Sequence, residues 1–298
     1  MSLSKPNYGL YKGINRYHTD QVPFDCSLAS SSSYNDKGAG FCWSKTPKVD
    51  VTKRLCTIQP TFRAEGPQNV KPAIIFALKP KIVDKEKFII DTKKPASTRI
   101  HPEMMQYDNR VQVYFDPKAY ACGDVCMAML KDFHKQTKTQ GLRILGLDNW
   151  SAQQTPEYQA TAKKLDVKLV FTPENCTDLC AVTDYSLGAT LKKLMVDQYE
   201  QDFNSRVDFW SGNAAGDKTI SLSQKRILFT KWLGNAWEIM TMQKQSQITR
   251  AFKACGMYNS VDGSENHLIK LPRYDKEYSV GSMSDDESNS DDMDEKQS

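Results

Sequence analysis

The sequence predicts an α/β fold with a C-terminal helical extension and an acidic, disordered tail. Three observations carry that prediction. Residues 142–171 read as strand, helix and strand; residues 221–255 repeat large apolar side chains at helical steps; residues 281–298 hold seven acids and one lysine. At 298 residues the chain has room for one large domain or two modest ones.

The elements follow in chain order. Residues 1–13 read as an irregular lead-in, and Asn15 to Val22 as a short extended piece stopped by Pro23. Ser30 to Ser33, with Asn35, Asp36, Gly38 and Gly40, has loop chemistry. Arg54 to Phe62 and Ala73 to Leu78 are strand candidates, and Val111 to Phe115 is a third. From Asp124 the period changes. Val125, Met129, Leu130 and Phe133 recur at helical spacing, so a helix runs to about Lys138.

Leu142 to Leu147 is a buried strand that stops at Asp148-Asn149. Thr155-Pro156-Glu157 is a helix start, with Thr as cap and Pro at the first position, and that helix ends near Leu165. Val167 to Phe171 is the next buried strand, closed by Pro173. Strand, helix, strand at this spacing is a βαβ unit with a parallel pair. After an irregular stretch, a helix opens near Asp184 or Tyr185 and carries Leu187, Leu191, Leu194 and Met195 on one face. In residues 221–255, Leu222, Phe229, Leu233, Trp237 and Met240 recur at helical steps, with Trp232 and Ala236 beside them. These tryptophans read as core rather than as a base-stacking platform. The divisions expected are an α/β core over 1–205, a helical extension over 206–275 and the tail over 276–298.

Composition narrows the function classes. No apolar run approaches the ~18 residues of a membrane span, and Met1 to Gly13 lacks the apolar stretch of a secretory signal. The expectation is a soluble intracellular protein without a membrane partner. The eight cysteines do not suggest a disulfide scaffold. Cys122 with Cys126, and Cys176 with Cys180, have a C-x-x-x-C spacing, but tight zinc knuckles are missing and half-buried thiols are the plainer reading. The formal charge is +4, while the last eighteen residues carry −6, which leaves +10 on the first 280. A basic body with an acidic tail suits a polyanion partner, and equally a solubilised basic domain.

Three acids meet the ends of expected elements. Asp20 sits late in the first extended piece, Asp148 directly follows a strand, and Asp184 opens a helix. A carboxylate at a strand's carboxyl end faces the crevice where α/β sheets place their sites. One at a helix start is favoured by the dipole and lies near the same edge. Three converging carboxylates suit two Mg²⁺ ions, which take oxygen ligands and keep positions for water and phosphate. Taken singly, each Asp reads more plainly as a structural turn residue than as a ligand.

The strings around these acids resemble the DDE superfamily endonuclease domain of pogo-type transposases and of jerky-like and CENP-B-like proteins. His18-Thr19-Asp20-Gln21-Val22-Pro23 resembles the first motif, and Lys53-Arg54-Leu55-Cys56-Thr57 the basic strand start after it. Val111 to Phe115 followed by Pro117-Lys118-Ala119 resembles the later strand that leads to a helix. Leu145-Gly146-Leu147-Asp148-Asn149 resembles the second motif, and Thr172 to Leu179 the Pro-x-Asn/Gly-x-Thr-x-Leu stretch. Asp184, with Gly188 through Lys192, resembles the third motif, and Phe252 to Met257 the closing one. The likeness spans roughly residues 14–270.

The resemblance implies an RNase H-like fold, a mixed central sheet flanked by helices. It implies Asp20, Asp148 and Asp184 as catalytic ligands of Mg (or Mn), and DNA phosphodiester cleavage and strand transfer. Lys192 and Lys193 would contact phosphate, against the plainer reading of a solvated helix face. DNA is the implied partner, a homodimer the implied assembly and the nucleus the implied location. The sequence departs from the family pattern at His18, where Asn is common, at Thr183 and at the bulky Trp150. Only nineteen residues precede Asp20, too few for the family's helix-turn-helix module. The alternative expectation is therefore a domesticated, inactive copy that binds DNA or chromatin proteins and cuts nothing.

Overall fold

A computed structural model of the chain describes residues 11–24, 56–77, 102–173, 176, 180–205, 221–260 and 262–270. The expected loop at 30–40, the start of the 54–62 strand candidate, the end of the 73–78 candidate, Asp178 and the acidic tail lie outside the described residues. The strands are β1 (Arg16–Thr19), β2 (Val22–Phe24), β3 (Cys56–Gln59), β4 (Thr61–Arg63), β5 (Ala73–Ala77), β6 (Gln112–Asp116), β7 (Arg143–Leu147) and β8 (Val167–Phe171). The helices are α1 (Gly123–Thr137), α2 (Pro156–Lys164), α3 (Gly188–Ser205), α4 (Leu222–Gln243) and α5 (Gln245–Ala254). A π-helical turn, Thr183–Leu187, runs into α3. The class is mixed α/β, with two four-stranded mixed sheets in the orders β4-β1-β7-β8 and β2-β3-β5-β6.

The two sheets meet in one antiparallel hairpin. Thr19 pairs with Thr61 and Val22 with Ile58 in a single register, which sets Asp20 opposite Pro60. The Ala64 N–H donates to the Arg16 carbonyl, so in this register Asp20 and Pro60 occupy a hydrogen-bonded position. Pro60 has no N–H to give, and the ladder breaks there. Pro23 does not stop its strand, contrary to the sequence expectation. It pairs with Thr57 inside β2. That position is non-hydrogen-bonded and β2 is an edge strand, so the missing N–H costs no ladder bond.

Alternation along the strands feeds two cores. Ile58, Phe62, Ile74, Phe76 and Phe115 pack with Leu191, Met195, Trp232, Leu233, Trp237 and Phe252 from α3, α4 and α5. On the other face, Tyr17, Ile75, Tyr114, Leu145 and Leu147 pack with Val125, Leu130 and Phe133 of α1 and with Tyr158 and Ala162 of α2. Successive residues Ile74, Ile75 and Phe76 thus serve opposite faces, as a period of two requires. Both expected core tryptophans are buried.

The βαβ unit forms β7, α2 and the parallel strand β8. Thr155 caps α2 by accepting from the Tyr158 N–H, with Pro156 at the first helical position. The stretch read as helical over 221–255 is two helices that change at Lys244. Ser221 opens α4 with a reciprocal capping box to Gln224. Among the described residues no helix is long and apolar enough to cross a membrane. Cys122, Cys126, Cys176 and Cys180 are free thiols, and burial pushes Cys126 up to about 12.

Candidate active site

β1 and β7 lie side by side and parallel, with Thr19 opposite Leu147. Asp20 and Asp148 are the next residues on those strands, about 5 Å apart along the sheet by ordinary strand spacing. Both leave at the carboxyl edge, the edge where open α/β sheets hold ligands. Asp184 arrives from the π-helical turn that opens α3. Such turns recur at functional sites because they re-aim one side chain without ending the helix.

Two contacts fix that turn against the sheet. The His18 Nδ1 lies 3.1 Å from the Thr183 hydroxyl, with both residues buried. Gly188 lets the helix close on β2, because a Cβ there would lie 3.3 Å from Val22 Cγ2 and 3.2 Å from the Thr183 carbonyl. Beneath the site, a Cβ on Gly146 would collide with the Met257 side chain and come within 2.9 Å of His18. His18 therefore has its place because Gly146 has no side chain.

The three aspartates line one cavity of about 260 Å³, together with Thr19, Gln21, Pro23, Gln59, Tyr120, Trp150 and Gln153. Burial pushes the Asp20 carboxyl up to about 7, and the negative charges of Asp184 and then Asp148 push in the same direction. A hydrogen bond of 2.6 Å from the Gln21 N–H to Asp20 Oδ1 offsets part of this. Burial lowers His18 to about 4, against the pull of Asp148, so the imidazole is neutral at neutral pH. Its Nε2 is buried with no hydrogen-bond partner.

The donor set consists of carboxylate oxygens, which suits a hard divalent cation. Among the described residues, no three His, Cys, Asp or Glu side chains are gathered tightly enough to form a metal cage. Mg²⁺ does not require such a cage. It is commonly held by one or two carboxylates, keeps several waters and takes the rest from substrate phosphate.

Lys192 and Lys193 stand on α3 beyond the residues that line the cavity, and Lys193 is exposed. The sequence reading missed Gln59, Tyr120 and Gln153 as cavity residues, and treated Trp150 only as a bulky departure. Gln59 sits beside Pro60, and an isolated glutamine gives no local signal. A scan against protein-family models finds no match, and no curated protein matches the chain.

Proposed function

We propose that the chain carries an RNase H-like catalytic core of the DDE transposase kind, which cleaves DNA phosphodiester bonds with Mg²⁺ or Mn²⁺. The observation that supports it is the single cavity where Asp20, Asp148 and Asp184 meet closely enough for the other two charges to raise Asp20. The RNase H-like reading draws on the mixed strand pairing with helices on both faces. Asp20, Asp148 and Asp184 would hold two divalent cations, which would supply activation of the attacking oxygen and stabilisation of the leaving one.

The chain's own residues hold the oxygens that such a cation needs. The Gln21 N–H orients one Asp20 oxygen. The bond between His18 and Thr183 fixes the turn that carries Asp184. Asp20 must give up its proton before it can serve as a ligand, so a pH above about 7 favours loading. DNA is the proposed partner and the nucleus the proposed location.

Plasmid nicking in Mg²⁺ or Mn²⁺ tests the reading. Activity is expected in the wild type and is abolished by Asp20→Asn, Asp148→Asn or Asp184→Asn, each of which keeps its melting temperature in EDTA or raises it. Either metal should also raise the melting temperature of the wild type by mass action, and less so in the variants. The departures from the family pattern at His18, Thr183 and Trp150, each within two residues of one of the three aspartates, favour a second reading, a domesticated protein that binds DNA without cutting it. Retained DNA binding with no nicking in either metal would decide for that reading.

A further inference from the structure

The cavity that gathers the aspartates also carries groups with no task in phosphodiester hydrolysis. Trp150 and Tyr120 are 40% and 42% exposed, and both line it. The Trp150 indole N–H donates to the Ala121 carbonyl at 3.1 Å, which anchors the ring by its edge next to the residue that follows Tyr120. Gln59 lies deeper. It is 3% exposed, its Nε2 reaches the Thr19 hydroxyl at 3.4 Å, and its Oε1 is buried without a hydrogen-bond partner. Gln153, 4% exposed, is on the same lining.

Phosphate oxygens need cations or N–H donors; they need neither an aromatic face nor an amide acceptor. A nucleobase needs both. Aromatic rings stack on any base, and side-chain amides bond to base edges. A base inside an intact duplex cannot reach an amide as buried as Gln59, so the base must leave the stack first. The Gln59 acceptor is closed to solvent and has no partner that holds it, so a turn of the amide toward the cavity would let such a base satisfy it, and an unsatisfied buried polar atom is costly to keep.

We infer that this cavity takes a nucleobase swung out of the helix, stacked on Trp150 and held at its edge by the Gln59 amide, beside the phosphate on which the aspartates act. The preferred ligand is DNA with an unpaired or distorted nucleotide. The inference rests on the DNA-cleavage reading and specifies the substrate of that same site. Trp150 supplies area for affinity, and Gln59 supplies a polar contact that only an extruded base can make.

The test uses the full chain with Ca²⁺ in place of Mg²⁺ and three synthetic duplexes of one sequence. One is fully paired, one carries a single unpaired thymine, and one carries an abasic residue at that place. The thymine duplex is expected to bind more tightly than the other two. Trp150→Ala should weaken its binding roughly 5- to 150-fold, as loss of one base–aromatic stack does, and leave the fully paired duplex unaffected. Trp150→Phe should restore most of the loss, since the ring face returns without the N–H. Gln59→Leu should lower only the preference for thymine over the abasic probe. Equal wild-type affinity for the thymine and abasic probes overturns the inference, as does a preference that survives Trp150→Ala, and both leave the DNA reading standing. Failure of the wild type to bind any of the three duplexes overturns the DNA reading and the inference with it.

Discussion

Asp20 carries its charge at a cost that grows with pH. Its folded pKa is about 7 against an ordinary 3.8, so the folded chain holds a proton that the unfolded chain releases. The stability linked to this group is fully present below about pH 4 and is lost as pH rises through about 7. Asparagine has no proton to lose. In EDTA, the stability of Asp20→Asn, followed by its melting temperature, should therefore gain on the wild type between about pH 5 and pH 7. The gain is about 1.4 kcal/mol for each step of one in pH across that window, and it levels off above it. His18 has the opposite slope. Its pKa falls from 6.5 to about 4 on folding, so its contribution is present above about 6.5 and is lost as pH falls. Both proteins share that slope, and it cancels in the difference. Parallel melting curves for the two would show that neither burial nor the neighbouring charges raise Asp20. Gly146 sets a second test at this scale. Gly146→Ala drives a methyl into Met257 and His18 and should cost about 1–3 kcal/mol by overpacking. Met257→Ala in the same chain should recover part of that loss in a double-mutant cycle. Additive losses would place the strain elsewhere.

At the scale of elements, α2 offers the simplest measurement. Thr155→Ala removes the acceptor for the Tyr158 N–H and should lower stability by about 1 kcal/mol, while Thr155→Ser should keep most of it. Unchanged denaturant midpoints for Thr155→Ala would show that the cap contributes nothing. This helix was legible in the sequence because its start is local chemistry, Thr then Pro, and its flanking strands β7 and β8 are short apolar runs. Asp148 was legible for the same reason, as the first polar residue after such a run. The break between β3 and β4 was not legible. Its cause is that Pro60 falls on a hydrogen-bonded rung, and the rung parity depends on a partner strand some forty residues away in the chain. The continuation through Pro23 was hidden likewise, since only the pairing shows that its nitrogen faces away from β3. Gln59 and Trp150 come to one cavity by tertiary folding alone, which no single-sequence period reports.

At the scale of the molecule, α4 and β3 share one core although they come from opposite halves of the chain. Ile58 and Leu233 are both fully buried in it. Ile58→Ala and Leu233→Ala should each cost about 2–5 kcal/mol and lower one common melting transition. Two resolved transitions, with only one displaced by Leu233→Ala, would show that the C-terminal helices melt on their own. The pairing of β1 with β7 has a further consequence, one of timing. It joins strands whose neighbours Asn15 and Gln140 are 125 residues apart, a long loop to close. Contacts of that separation form slowly. A nascent chain that has not yet emerged past Leu147 has β1 without its parallel partner and Asp20 without Asp148. The cavity therefore cannot close before Asp184 has been made, yet all of its residues are in place before the helices α4 and α5 that complete the neighbouring core.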